Sequence, residues 1–308
     1  LSAMKILVAT EKPFAAVAVD GIRKVIEESG NEMVLLEKGS KEDFINAVAD
    51  VEGLIVRSDI VDATILDAAK NLKVIVRAGA GVDSIDLSGA KQRGICVMNT
   101  PGQNSNAVAE LVFGMLIMMI RNNFNGTSGS ELKGKKLGIH AYGQVGRNVA
   151  RIAKGLGMEV SALDPFVKDE DMIADGIKPL HSVEELYKSN QYVSLHIPAT
   201  SETKKSIGEK LIKLMPKNAV LINTARKEII DEESLTIALK ERTDVRYIAD
   251  VKPDNAEAMK SEFADRVFFT PKKMGAQTAE ANINAGIAAA KQSVAFLKDG
   301  WNKYQVNK

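Results

Sequence analysis

The feature that most constrains this chain is an alternation. Short, nearly continuous runs of Val, Ile and Leu at residues 5–9, 33–36, 53–56, 74–76 and 95–98 are separated by longer segments, of which 14–29 and 41–49 are clearly amphipathic. A strand that is apolar on both sides needs cover on both faces, and parallel neighbours need a crossover of about a dozen residues, usually a helix. The pattern therefore predicts a parallel sheet between two layers of helices.

The alternation changes character at Asn99, Thr100, Pro101 and Gly102, a turn cluster that marks a domain crossing. A helix over 105–121 and a Gly/Ser/Asn-rich linker over 122–130 follow. A second series of strands is expected at 136–139, 160–163, 192–195, 219–222, 245–249 and 267–269. Residues 278–299, rich in Ala and other helix formers, read as a helix returning to the first domain. With 308 residues and 45% hydrophobic content the chain can fill two cores. The expectation is an α/β protein of two doubly wound parallel-sheet domains, one made of 1–101 and 279–308, the other of 102–278.

Composition removes several classes of function. Forty-one Lys and Arg against 40 acidic residues provide no field for nucleic acid or an anionic membrane, so the expected partner is a small molecule. Cys96 is the single cysteine, which excludes an internal disulfide and a cysteine-built metal site; within 95–98 it reads as a buried structural thiol, and no metal is expected. The longest apolar stretch, 111–120, is about half of what a membrane helix needs, and no signal peptide opens the chain, so a cytoplasmic protein is expected. Leu1 to Ala3, ahead of Met4, read as an expression remnant.

The strand at 136–139 runs into Ala141-Tyr142-Gly143-Gln144-Val145-Gly146, which opens a helix over 147–156, and Asp164 closes the next strand. Small residues there let the backbone approach a pyrophosphate, the helix start offers unpaired N–H groups, and a carboxylate about twenty residues on accepts from both ribose hydroxyls. A packing turn can look similar; the strand before, the helix after and Asp164 at the right distance favour dinucleotide binding. Asp164 repels a 2′-phosphate, and Pro165 and Phe166 supply no arginine, so NAD is expected rather than NADP. Ala141 replaces the first glycine, and its backbone is expected at a φ suited to alanine.

The runs Val56-Arg57-Ser58, Arg77-Ala78-Gly79-Ala80-Gly81-Val82-Asp83, Asn104 to Glu110, Leu195-His196-Ile197-Pro198 and Ile222-Asn223-Thr224-Ala225-Arg226 resemble the D-2-hydroxyacid dehydrogenase family, nearest to its branch acting on 3-phosphoglycerate. The resemblance implies a Rossmann NAD domain, a flavodoxin-like substrate domain and a homodimer. It also implies oxidation of 3-phosphoglycerate to 3-phosphohydroxypyruvate with NAD, the entry to serine synthesis. The alternatives are a glyoxylate or hydroxypyruvate-type 2-oxo acid reductase and an inactive, NAD-sensing binding protein. In the family the arginine matching Arg226 clamps the carboxylate and carbonyl of the substrate, a task for a planar bidentate donor. Without the resemblance, a surface salt bridge is the more ordinary role for Arg226. The matching further sets His196, Pro198, Thr224, Ala225, Asp250, Gly275 and Ala276 at the cofactor, with Asp250 on the nicotinamide amide. It sets Arg57, Ser58, Arg77, Gly79, Ala80, Gly81 and Asn104 at the substrate, the two arginines near its phosphate.

The chain departs from the family where proton transfer is concerned. The histidine of a Pro-His-apolar-Gly run is absent from Pro271-Lys272-Lys273-Met274-Gly275-Ala276; alignment from Gly275 puts Lys273 in its place, alignment from Pro271 puts Lys272 there, and Lys273 is preferred. The partner glutamate is replaced by Asn255, with Asp254 and Glu257 nearby. A lysine can donate to a developing alkoxide at neutral pH, but as a base it must first lose a proton held with a reference pKa of roughly 10.4, so oxidation is expected to favour alkaline conditions. The short polar linker 122–130 differs from the longer segment of relatives, and the end at Lys308 leaves no room for their C-terminal regulatory domains, so serine feedback through one is not expected.

Overall fold

The computed structural model describes residues 3–308; Leu1 and Ser2, on which the expectation of an expression remnant falls, lie outside the described residues. The chain divides into two compact units, one reaching Asn104 and resuming at Gln277–Lys308, the other Ser105–Ala276. The first boundary falls beyond 101 because the turn there still belongs to the first unit: Thr100 N donates to Gly79 O at 2.9 Å.

The first unit runs β1 (Lys5–Thr10), α1 (Ala16–Glu28), β2 (Glu32–Glu37), α2 (Lys41–Val48), β3 (Gly53–Val56), α3 (Ala63–Ala68), β4 (Val74–Arg77), α4 (Leu87–Gln92) and β5 (Cys96–Asn99). Its five parallel strands lie in the order β2-β1-β3-β4-β5, the doubly wound arrangement of flavodoxin-like domains. Alternation along β1 builds two cores. Leu7 and Ala9 pack with Phe44, Val48, Ile65 and Leu66 on one face; Ile6 and Val8 pack with Ala18, Ile22, Ala285 and Ala289 on the other. Helix starts are set by short polar side chains: Ser40 and Asp43 form a reciprocal capping box on α2, while Asp62 and Asp86 cap α3 and α4. Cys96 is buried, and burial pushes its thiol up to about 11, as suits a structural residue.

The second unit contains α5 (Ser105–Ile120), β6 (Lys136–His140), α6 (Gln144–Gly155), β7 (Glu159–Leu163), α7 (Asp169–Ala174), β8 (Lys178–Pro179), α8 (Val183–Ser189) and β9 (Tyr192–Leu195). It continues through α9 (Glu209–Leu214), β10 (Val220–Asn223), α10 (Glu232–Glu241), β11 (Arg246–Ala249), α11 (Ala256–Phe263) and β12 (Val267–Phe269). Its seven strands are parallel in the order β12-β11-β10-β9-β6-β7-β8, so the order reverses between β6 and β9. In such sheets ligands bind outside the carboxyl ends of the strands at that reversal. The two-residue edge strand β8, which ends in Pro179, has no counterpart in the expected series; it is too short to carry a periodic signal. The apolar run 111–120 lies within α5 and buries Val112, Phe113, Met115, Leu116, Met119 and Ile120, and among the described residues no helix is long and apolar enough to cross a membrane.

The last helix, α12 (Ala279–Asp299), is capped by Thr278, packs against α1 and belongs to the first unit.

Candidate active-site residues

The turn from β6 into α6 carries the dinucleotide fingerprint. Gly146 is buried, and a Cβ there would run into the Ala141 carbonyl oxygen and lie 3.1 Å from Ile139 Cγ2, so the residue type is dictated by the approach of helix to strand. Gly143 is the N-cap of α6 with no side-chain cap, and a Cβ on it would meet nothing within 4 Å, which leaves the helix start open to an anion. Gln144 is exposed and Val145 half-buried. Ala141 contradicts expectation: its φ is +84°, in the region that glycine occupies without penalty. The turn geometry, fixed by Gly146 and by Ala141 N donating to Leu163 O at 2.9 Å, overrides the preference of the side chain. Such a backbone costs on the order of 1–3 kcal/mol.

Asp164 is held in place by the same turn. Its Oδ2 accepts from Tyr142 N and its Oδ1 from Phe166 N, each at 2.8 Å. A carboxylate offers about four lone-pair sites, so one remains on each oxygen for ribose hydroxyls. Pro165 and Phe166 are exposed beside it. Tyr142 is buried, donates to Asp175 Oδ2 at 3.0 Å and lies under the Arg147 guanidinium, 4.8 Å from the ring centroid; burial chiefly, with Asp175, raises its phenol. The open helix start, the cradle at Gly146 and the oriented carboxylate together fit NAD.

At the ends of β6 and β9 stand two histidines. His140 is buried, its Nδ1 has no hydrogen-bond partner among the described residues, and burial lowers it to about 4 against an opposing pull from Asp164. Burial and the neighbouring His140 lower His196 to about 3, and its Nε2 lies 2.9 Å from Ser194 Oγ. Both are therefore neutral at physiological pH. His140, which the sequence sets at the strand end entering the glycine loop with no part in proton transfer, lines a cavity of about 430 Å³ shared with Ile197, Thr203 and Leu211. Pro198 is exposed, and its carbonyl accepts from Thr203 Oγ1 at 2.6 Å. His181 is a surface residue 3.3 Å from Asp169.

Arg226 follows β10 and is exposed; its NH1 donates to Ala225 O at 2.8 Å, and among the described residues it forms no ion pair with an acid. The surface-salt-bridge role is thus absent. Asn223, quoted in the sequence run but given no role there, holds this loop: its Oδ1 accepts from Ala225 N at 3.0 Å and its Nδ2 donates to Arg226 O at 2.9 Å. Thr224 is buried with an unpartnered Oγ1, and Ala225 is buried.

Asp250, at the end of β11, is buried and accepts from Thr270 Oγ1, Met274 N and Gly275 N at 2.8, 2.8 and 2.9 Å. Lys272 and Lys273 are exposed on the segment between those donors, and Ala276 beyond it is half-buried. Of the candidates for the missing glutamate, Asp254 pairs with Lys227 at 2.5 Å and Glu257 with Lys252 at 2.9 Å, both on exposed carboxylates. Asn255 donates to Thr236 Oγ1 at 3.3 Å.

In the first unit, Arg57 and Arg77 sit at neighbouring strand ends, since Val56 pairs with Arg77. Arg77 Nε donates to Arg57 O at 2.9 Å, and Arg57 NH2 to Asn282 Oδ1 at 2.8 Å, with its guanidinium 5.7 Å from the Phe14 ring centroid. Burial and then Arg57 lower the Arg77 guanidinium, with Asp83 acting the other way. Neither arginine forms an ion pair among the described residues. Gly79 has φ +144°, and a Cβ on it would overlap the Arg77 guanidinium, so glycine is required. Ala80 O accepts from Asn99 Nδ2 at 2.7 Å, Gly81 is half-buried, Ser58 is exposed and Asn104 half-buried.

Comparison with known proteins agrees with this geometry. Residues 114–272 match the family model of the D-isomer specific 2-hydroxyacid dehydrogenase, NAD binding domain. The D-3-phosphoglycerate dehydrogenase of Methanocaldococcus jannaschii is 35% identical over 292 residues, 89% of this chain and 55% of that protein, so this chain spans about half the length of that relative. The hydroxypyruvate reductase of Thermotoga maritima is 35% identical over 272 residues, 82% of this chain and 87% of that one. Among solved structures, NAD+-bound 3-phosphoglycerate dehydrogenase of Entamoeba histolytica superposes with a TM-score of 0.84 at 50% identity, covering 99% of both chains. The chain belongs to the D-isomer-specific 2-hydroxyacid dehydrogenase family and carries its NAD-binding domain.

Proposed function

We propose that the protein interconverts 3-phosphoglycerate and 3-phosphohydroxypyruvate with NAD, the reaction named for its relatives from M. jannaschii and E. histolytica. The observation that carries the substrate is the arginine pair: two cations at adjacent strand ends, one bonded to the other's carbonyl and neither ion-paired among the described residues. A phosphate dianion suits such a pair; a lactate or glyoxylate has nothing to place there.

Bound NAD supplies the two-electron acceptor for the hydride that leaves the substrate C2. Arg226, held by Asn223, donates to the substrate carboxylate and polarises the carbonyl as it forms. A lysine of the 271–275 segment, by alignment Lys273, takes the hydroxyl proton in oxidation and returns it in reduction. The ketone, NADH and one proton on lysine balance the alcohol and NAD+.

The test is a substrate comparison. Arg57→Ala is expected to raise KM for 3-phosphohydroxypyruvate at least about tenfold, as loss of a charge-assisted contact should, and to change KM for hydroxypyruvate by less than about threefold. Equal effects on both substrates would overturn the assignment. They would favour a hydroxypyruvate reductase, the activity named for the equally similar T. maritima relative.

A further inference from the structure

We infer that Thr270 is a positioning residue, bracing Asp250 so that one buried carboxylate fixes both ends of the segment that presents Lys272 and Lys273. This rests on the proposal that one of those lysines transfers the proton.

The geometry is a closed bracket. Thr270 stands directly after β12, is 2% exposed, and its N–H donates to Ala249 O at 3.1 Å. Its Oγ1 lies 2.8 Å from Asp250 Oδ1 and 3.1 Å from the Asp250 carbonyl oxygen. The hydroxyl has one proton, and the charged oxygen is both nearer and the stronger acceptor. Asp250 Oδ1 also accepts from Met274 N, and Oδ2 accepts from Gly275 N. The carboxylate thus ties the residue before Pro271 to the two residues after Lys273. It is anchored in turn by β11 and by Asp250 N donating to Asn223 O at 3.0 Å. Met274 is 41% exposed while its N–H is bonded inward, so the backbone at Met274 is held by Asp250.

Oδ1 carries two donors and is full, whereas Oδ2 carries one and keeps one site, enough for a single further donor such as a carboxamide. Removal of the Thr270 hydroxyl leaves Oδ1 half-satisfied and lets the carboxylate turn toward its remaining partners, dragging Met274 and Gly275. Because Thr270 spends its proton on Asp250, its effect on turnover passes through the lysine segment. A shift of about 1 Å in a reacting group costs up to about a hundredfold in rate.

The experiment measures kcat and KM for reduction of 3-phosphohydroxypyruvate by NADH in Thr270→Val, Thr270→Ser and Thr270→Ala, beside Lys272→Ala and Lys273→Ala. Thr270→Val keeps the branched shape; the serine variant keeps the hydroxyl; circular dichroism selects the variants that retain the wild-type fold. The expected result is a fall in kcat of about ten- to a hundredfold in the valine and alanine variants, KM for NADH within about twofold of wild type, and recovery in the serine variant. Wild-type kcat in Thr270→Val, with one lysine variant inactive, overturns the brace and leaves the lysine proposal standing. A rise in KM for NADH that accounts for the whole loss also overturns it, because Thr270 would then serve the cofactor. Full activity in both lysine variants overturns both proposals.

Discussion

Two turns of the same sheet are built in opposite ways. The turn from β6 into α6 is shaped by close backbone approach within six residues, where Gly146 admits the Ala141 carbonyl and Ala141 accepts a φ of +84°, while Asp164 from the end of the next strand bonds Tyr142 N, 22 residues before it. The segment after β12 is secured by a single side chain, the Asp250 carboxylate at the end of β11, 20 residues before Thr270 and 24 before Met274. A local device writes itself into residue spacing, and the glycine pattern conveys what it binds. A carboxylate brace leaves no glycine pattern, and the segment it holds can exchange its reacting side chain without losing its place.

The contrast can be broken in several ways. The largest effect belongs to the segment that Asp250 braces: loss of the proton-transferring lysine should lower kcat by about 10²–10⁴-fold with NADH affinity unchanged, measured by steady-state kinetics and fluorescence titration. The rate of 3-phosphoglycerate oxidation should climb from pH 7 to 10, since a lysine acts as a base only after losing its proton, while reduction is sustained at neutral pH. A flat oxidation profile between pH 6 and 9 would remove lysine as the base.

In the local turn, Gly146→Ala should weaken NADH binding and destabilise the fold by about 1–3 kcal/mol, because the clash is with backbone that cannot move aside; an unchanged melting curve would mean that the helix approach is looser than described. At His140 the effect depends on acid. The unfolded imidazole takes a proton near 6.5 and the folded one not until about 4, so this group's stabilisation is present above 6.5 and is lost as pH falls toward 4. The slope is about 1.4 kcal/mol per pH unit, and urea titrations at pH 7, 6 and 5 should find it diminished in His140→Leu. The smallest effect is a gain: Ala141→Gly should stabilise the chain by about 1 kcal/mol, and a loss of stability would show that the turn does not strain alanine.

Most of the architecture was legible because continuous Val/Ile/Leu runs mark strands buried on both faces; β3, β9 and β12 lie where those runs lie. β8 was not legible, being two residues at an edge. In the candidate site, Gly143, Gly146 and Asp164 could be read from spacing alone. Arg226 and Asp250 needed the family resemblance, since an isolated Arg or Asp has no periodicity. Thr270 was hidden for a different reason: it acts on a group brought near by the sheet, and the strand order places it beside Asp250, whereas Asn223 holds groups two and three residues on and its side-chain bonds, not its spacing, disclose the role. The conformation of Ala141 was misread because residue type sets a preference, whereas the close approach at Gly146 sets the geometry.

The most direct test is NADH oxidation at neutral pH with 3-phosphohydroxypyruvate, hydroxypyruvate as comparator, and Lys272→Ala and Lys273→Ala alongside the unaltered protein. Turnover that prefers the phosphorylated substrate and disappears with one lysine is the predicted result. NADH binding with no turnover of either substrate would contradict it, and would make the chain a nucleotide-binding protein without this chemistry.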